Sequence, residues 1–276
     1  MPLPSAPLVV HNGQLRPAEE ALVGARDRLV ACGRGVFETL AAYQGTPFRA
    51  LEHLERLTRG ATLLNLAQPD DDTLLAAMQA ALNANGLLEA EKARLRITLS
   101  SPADESACWW VEATAPPPHP STARVITGPF FRNERSLLAG LKTVNYGDNA
   151  VALHLAHAAG ADEALFANTR DELCEGTWSN LFARIDGTWH TPPLSSGCLP
   201  GITRCAVIGL FKEHGIPLLE SPLPYAAVDR VRSAFLTSSL REIQPISSID
   251  GRPLEPSAET TSLQSAYRQL FRRCEA

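Results

Sequence analysis

The run Pro116-Pro117-Pro118-His119-Pro120 ends every regular element that could reach it, because proline has no N–H to donate and pushes the residue before it out of the helical region. The chain must therefore fold on either side of this break. With 276 residues it is long enough to build a core on each side. We read a smaller N-terminal α/β domain over residues 1–118, a linker at 119–123 and a larger C-terminal domain over residues 124–276.

Before the break, residues 8–12 form a strand pattern closed by Asn12-Gly13. A second strand follows Gly33-Arg34-Gly35 and carries Val36, Phe37, Thr39 and Leu40, with Gln44-Gly45 turning it back to Pro47-Phe48. Leu51, Leu54, Leu57, Ala61 and Leu64 recur at helical spacing over residues 50–66, which sets His53 and Arg56 on one side of that helix. A second helix is expected over 71–85. A strand over 93–100 follows, with Leu95, Ile97 and Leu99 on one face, and Trp109 to Val111 continue its sheet.

Beyond the break, strands are expected at 124–127, 163–167, 180–185 and 233–237. A polar loop over 132–139 delivers Lys142, and a helix follows over 145–159 with Val151, Leu155 and Ala158 inward. A last helix spans 201–214.

Composition narrows the partners. A net charge of -5 and a pI near 5.8 leave no basic patch for nucleic acid, and no apolar stretch approaches the roughly 20 residues of a membrane helix. Without a signal-peptide pattern the expectation is a cytoplasmic protein. The six cysteines show no C-x-x-C pair, so free thiols are expected. His53, His154 and His157 have no carboxylate or cysteine suitably spaced for a metal.

The chemistry concentrates between residues 141 and 204. Lys142 is a lone lysine among small and apolar residues, Glu175 precedes a strand, and Leu199-Pro200-Gly201-Ile202-Thr203-Arg204 is a turn into a helix. An amine can bond an aldehyde, a carboxylate can keep a pyridine nitrogen protonated, and a helix N-terminus can hold a phosphate. These are the three requirements of a pyridoxal phosphate site.

The run Gly160-Ala161-Asp162-Glu163-Ala164-Leu165, the segment Glu175 to Phe182 and the turn Leu199 to Arg204 together resemble the signature of class IV, fold-type IV pyridoxal phosphate enzymes. These are the branched-chain and D-amino-acid aminotransferases and the 4-amino-4-deoxychorismate lyases. Trp189 departs from the pattern, where a smaller aliphatic residue is usual. The resemblance implies a two-domain α/β (α+β) fold like that of D-amino-acid aminotransferase, with pyridoxal 5'-phosphate between the domains, a homodimer, and a small amino substrate.

It also implies roles. Lys142 carries the cofactor as a Schiff base and moves the substrate proton, and Glu175 meets the pyridine nitrogen. Leu199 lies against the ring. Arg56, from the His53-x-x-Arg56-Leu57 helix, joins Gly201, Ile202, Thr203, Ser238 and Ser239 around the phosphate. Candidates for a substrate carboxylate are Arg204 and Arg241, or Arg94 and Arg96 in place of the arginine missing from the 100–107 loop. The Lys142-x-x-Asn145 spacing and Thr39, placed as the lyase's proton-transfer threonine, make 4-amino-4-deoxychorismate lyase the leading expectation: it would release pyruvate and 4-aminobenzoate for folate synthesis. The alternative is an aminotransferase of D-amino or branched-chain amino acids using 2-oxoglutarate.

Overall fold

A computed structural model describes residues 7–102, 104 and 106–272. The chain divides into two compact units. One extends to Pro117 and takes back Leu141–Asn145, and the other holds Pro118–Gly140 and the chain from Tyr146 onward. The proline run lies at the division. Two boundaries differ from expectation, however: residues 141–145, Lys142 among them, belong to the first unit, and Ala123 opens a strand rather than closing a linker.

The first unit has, among the described residues, a six-stranded antiparallel sheet ordered β2-β1-β6-β5-β3-β4. Its strands are β1 (Leu8–His11), β2 (Gln14–Pro17), β3 (Val36–Tyr43), β4 (Thr46–Pro47), β5 (Ala93–Ser100) and β6 (Cys108–Thr114). The helices are α1 (Arg28–Cys32), α2 (Ala50–Leu63) and α3 (Asp71–Ala84). Gln44 and Gly45 both take positive φ, 45° and 76°, which matches the twist that joins β3 to β4. One face of the sheet, with Val36, Leu40, Leu95, Ile97 and Val111, packs against Leu54, Leu57, Leu74, Met78 and Leu82 of α2 and α3. Leu51, expected on that inward stripe, is exposed.

The segment bearing Lys142 is stitched onto the start of β3. Phe37 N–H donates to the Lys142 carbonyl at 2.9 Å, Val144 N–H to the Gly35 carbonyl at 3.0 Å, and Thr143 bridges Val36. The Asn145 side-chain amide donates to the Gly33 carbonyl at 2.9 Å. Gly33, at φ 68°, has no room for a side chain beside Asn145.

The second unit is built on a ten-stranded mixed sheet among the described residues, ordered β10-β9-β7-β15-β14-β11-β12-β13, with β16 paired to β15 and β8 to β9. The strands are β7 (Ala123–Ile126), β8 (Phe131–Arg132), β9 (Glu163–Asn168), β10 (Leu173–Gly176), β11 (Asn180–Ile185), β12 (Thr188–Thr191), β13 (Leu218–Glu220), β14 (Val231–Ser238), β15 (Glu242–Ile249) and β16 (Arg252–Pro253). The helices are α4 (Gly147–Ala158), α5 (Ile202–Glu213) and α6 (Ala258–Arg272). Helix α6 and the strand β10 that carries Glu175 were not expected from sequence.

Helix α4 is where expected, but its face is turned. Asn149, Ala152 and Ala156 are buried, whereas Val151 and Leu155 are exposed at 61% and 45%. An alanine-rich helix has a shallow pattern, and its small residues allow the close approach. Trp189 is a core residue. Its ring lies 5.8 Å from Phe211 of α5 and 5.2 Å from Phe235 of β14, and Phe182 stacks on Phe235 at 4.8 Å, so an aromatic layer seats α5 on the sheet.

Candidate active site

In the first unit the site grows from β3. Successive side chains of a strand face opposite ways, so Glu38 turns to α2 while Phe37 and Thr39 turn from it. Glu38 is fully buried and accepts from its neighbours: Arg56 Nε is 2.7 Å from Oε1, Arg56 Nη2 is 2.8 Å from Oε2, His53 Nδ1 is 2.7 Å from Oε2 and the Thr39 N–H is 3.2 Å from Oε2. Burial alone would raise the Glu38 carboxyl, but the Arg56 guanidinium and His53 outweigh it and hold the carboxyl far below the usual carboxylate range. His53 also moves down, chiefly by burial, with Glu38 opposing and Arg56 and Lys142 assisting. A neutral imidazole facing an ionised acceptor carries its proton on Nδ1, so His53 donates to Glu38.

On the other face, Lys142 Nζ lies 4.4 Å from the Phe37 ring centroid and the Arg96 guanidinium lies 3.9 Å from the same centroid. Arg96 stands directly opposite Thr39 in the β3–β5 ladder. An amine, a hydroxyl and a cation suited to a carboxylate thus share one face.

In the second unit, Glu175 Oε2 accepts from the Leu199 N–H at 2.8 Å and from Asn180 Nδ2 at 3.4 Å, and Oε1 lies 3.2 Å from Arg132 Nη2. Asn180 Nδ2 also donates to the Leu199 carbonyl at 2.9 Å, tying the acid to the turn ahead of α5. Asn180 pairs with Thr237 across β11 and β14, one and two residues before Ser238 and Ser239. No side chain caps α5. Thr203 Oγ1 lies 3.4 Å from the Tyr267 hydroxyl, and the Ser238 Oγ accepts from the Arg241 N–H at 3.3 Å.

Thr39, Lys142 and Arg56 thus lie on or beside β3; Glu175 and Leu199 are bonded to each other ahead of α5, which Gly201, Ile202 and Thr203 begin, and Ser238 and Ser239 follow Thr237 at the end of β14. Arg204 and Arg241, candidates for a substrate carboxylate, are engaged elsewhere: Arg204 Nη2 pairs with Glu220 at 2.8 Å, and Arg241 Nη1 with buried Glu163 at 2.7 Å. Ala103 and Glu105 of the 100–107 loop lie outside the described residues. Among the described residues no three His, Cys, Asp or Glu side chains converge as a metal site would require. Sequence reasoning passed over Glu38 and Arg132, and it named Asn180 only as a position of the family pattern, without a role. Glu38 had a signal, as an acid in register with the inward Val36 and Leu40 of its strand.

An uncapped helix N-terminus, a turn glycine and hydroxyls beside it suit a phosphate, and the nearby buried Thr237 hydroxyl finds no partner among the described residues. The buried Glu175 carboxylate on β10, bonded to the Leu199 N–H of that turn, suits a protonated ring nitrogen.

The sequence pattern of the amino-transferase class IV family matches residues 35–249, and the chain belongs to that family. It is 30% identical to a branched-chain-amino-acid aminotransferase of Pseudomonas aeruginosa, covering 95% of this chain and 92% of that one. It is 29% identical to a D-alanine aminotransferase of Listeria monocytogenes, covering 88% of each. A Legionella pneumophila structure provisionally named a 4-amino-4-deoxychorismate lyase superposes with a TM-score of 0.84 at 27% identity, covering 90% of this chain and 95% of that one. The enzyme's cofactor is pyridoxal phosphate, and a related branched-chain aminotransferase has been solved with its amine form, pyridoxamine 5'-phosphate.

One consequence is local to α5. A methyl group at Gly201 would overlap the Asn180 side-chain oxygen, although the backbone there, at φ -66°, would accept alanine. Gly201→Ala is expected to weaken pyridoxal phosphate binding by about 10-fold or more, the cost of displacing a buried hydrogen-bonded amide. Titrating apoprotein with the cofactor and following absorbance checks this.

Proposed function

We propose that the protein is an aminotransferase that moves an amino group from a D-amino or branched-chain amino acid to 2-oxoglutarate. The observation that carries this reading is the pair of near-full-length relatives named as such aminotransferases, at 30% and 29% identity. It displaces the lyase expectation, which rested on Thr39 and the Lys142-x-x-Asn145 spacing. Threonine is an ordinary strand residue, so Thr39 weighs little on its own.

When bound, pyridoxal phosphate supplies an aldehyde for amines and a protonated ring that accepts the electron pair left at the substrate's α-carbon. The chain supplies the rest. In this reading Lys142 holds the cofactor and, once released, takes the α-proton and returns it, while Glu175 retains the proton on the ring nitrogen. Backbone N–H groups of Ile202 and Thr203, with the Thr203, Ser238 and Ser239 hydroxyls, hold the phosphate. Leu199 would lie against the ring. Arg56, whose Nε and Nη2 both rest on Glu38, would add its guanidinium to the phosphate. Arg96 receives a substrate carboxylate, supported by its place with Lys142 on the Phe37 ring. The enzyme works as a cytoplasmic homodimer, and the exposed Val151 and Leu155 of α4 support a partner copy.

The lyase remains as a second reading because Thr39 shares the sheet face of Arg96 and Phe37. The test separates the two. Protein with pyridoxal phosphate, 2-oxoglutarate and either D-alanine or leucine should form glutamate, and none should form without the keto acid. Release of 4-aminobenzoate and pyruvate from aminodeoxychorismate alone would overturn the aminotransferase reading.

A further inference from the structure

Arg132 has no part in the roles above, yet its surroundings are built for an arginine. It ends the two-residue strand β8, with its guanidinium 4.8 Å from the centroid of the Phe166 ring on β9. Its Nη2 lies 3.2 Å from Glu175 Oε1 and 3.4 Å from Asn149 Oδ1 on α4. Asn149 in turn donates through its side-chain amide to the Thr177 carbonyl, two residues past Glu175. The Phe166 ring and the Asn149 amide hold the guanidinium against one oxygen of the Glu175 carboxylate.

We propose that Arg132 is a positioning residue that keeps Glu175 ionised and fixes its orientation, so that the acid is ready for the cofactor's ring nitrogen before the cofactor arrives. The proposal rests on the assignment of Glu175 to that nitrogen. Arg132 acts through Glu175.

The charge argument follows from the neighbours. Arg132 faces Oε1, while Oε2 takes the Leu199 and Asn180 N–H groups. The thiols of Cys174 and Cys198 are further titratable groups close to the acid among the described residues. Burial pushes Cys174 far up and Cys198 up to about 11, with Glu175 adding to both, so neither thiol carries charge at neutral pH. Farther out, Arg204 is paired with Glu220 and Arg241 with Glu163. A buried carboxylate without Arg132 would take up a proton more readily, and a neutral acid cannot hold a pyridinium.

Carbon-13 NMR of glutamate-labelled full-length apoprotein, with Glu175→Gln to identify the resonance, reads the Glu175 titration directly. In Arg132→Gln the midpoint should rise by about one pH unit or more, and Arg132→Lys should restore most of it. In the holoenzymes, the acid limb of the kcat profile should move up by the same amount, with the amino-donor KM little changed. Gln and Lys variants that both titrate like the parent would overturn the proposal. If Glu175→Gln left the holoenzyme's absorbance and kcat unchanged, the assignment of Glu175 would fall instead, and the proposal with it, whatever the NMR shows for Arg132.

Discussion

Lys142→Ala is expected to lower kcat by about 10⁴-fold or more, because one amine serves as both the covalent anchor and the base. The fold should persist. The segment is held through its backbone, by the Lys142 carbonyl to Phe37 and the Val144 N–H to Gly35, and neither bond involves the side chain. Methylamine added to the variant should restore part of the rate, since a small amine can take the vacated place as base. Circular dichroism and rate measurements on the same sample check both halves. A variant that retains a tenth of the parent rate would contradict the role.

Glu38→Gln is expected to destabilise the first unit by about 3–5 kcal/mol, read as a lower urea midpoint. The amide keeps the shape but removes the charge that Glu38 sets against the buried Arg56 cation, and it asks His53 to donate to a weaker acceptor. Removing both charges in Glu38→Gln/Arg56→Met should cost less than Glu38→Gln and Arg56→Met summed.

The pH dependence has a definite sign. Both the Glu38 carboxyl and the His53 ring are shifted down in the folded chain, so the unfolded chain binds protons first as pH falls. The stability from this cluster is complete at neutral pH. The His53 share starts to go below about pH 6.5 and the Glu38 share below about pH 4.3, the values of the unfolded chain. A parent protein whose midpoint stays flat from pH 7 to 4 would contradict this.

What could be read from the chain alone follows the physics of each feature. Helices α2, α3 and α5 and strands β3 and β5 announce themselves because their apolar spacing is strong and local. Helix α4 does not show its face, since alanines such as Ala152 and Ala156 bury well without large side chains to mark the stripe. The turn at Gly201 was legible because it is contiguous. The home of Lys142 was not: its segment joins the first unit by pairing with Gly35 and Phe37, about a hundred residues earlier, and no periodicity reports a bond of that span. Arg132 shows the same limit. In sequence it is one arginine of a polar loop, and only the fold brings it to Glu175.

The chain has three lysines, Lys92, Lys142 and Lys212, so the one that bonds the cofactor is easy to find. Protein loaded with pyridoxal phosphate, reduced with borohydride and digested, should carry the pyridoxyl group on the peptide containing Lys142, and Lys142→Ala should carry none there. A pyridoxyl group found on the Lys92 or Lys212 peptide, with the Lys142 peptide unmodified, would contradict the assignment on which the site is built.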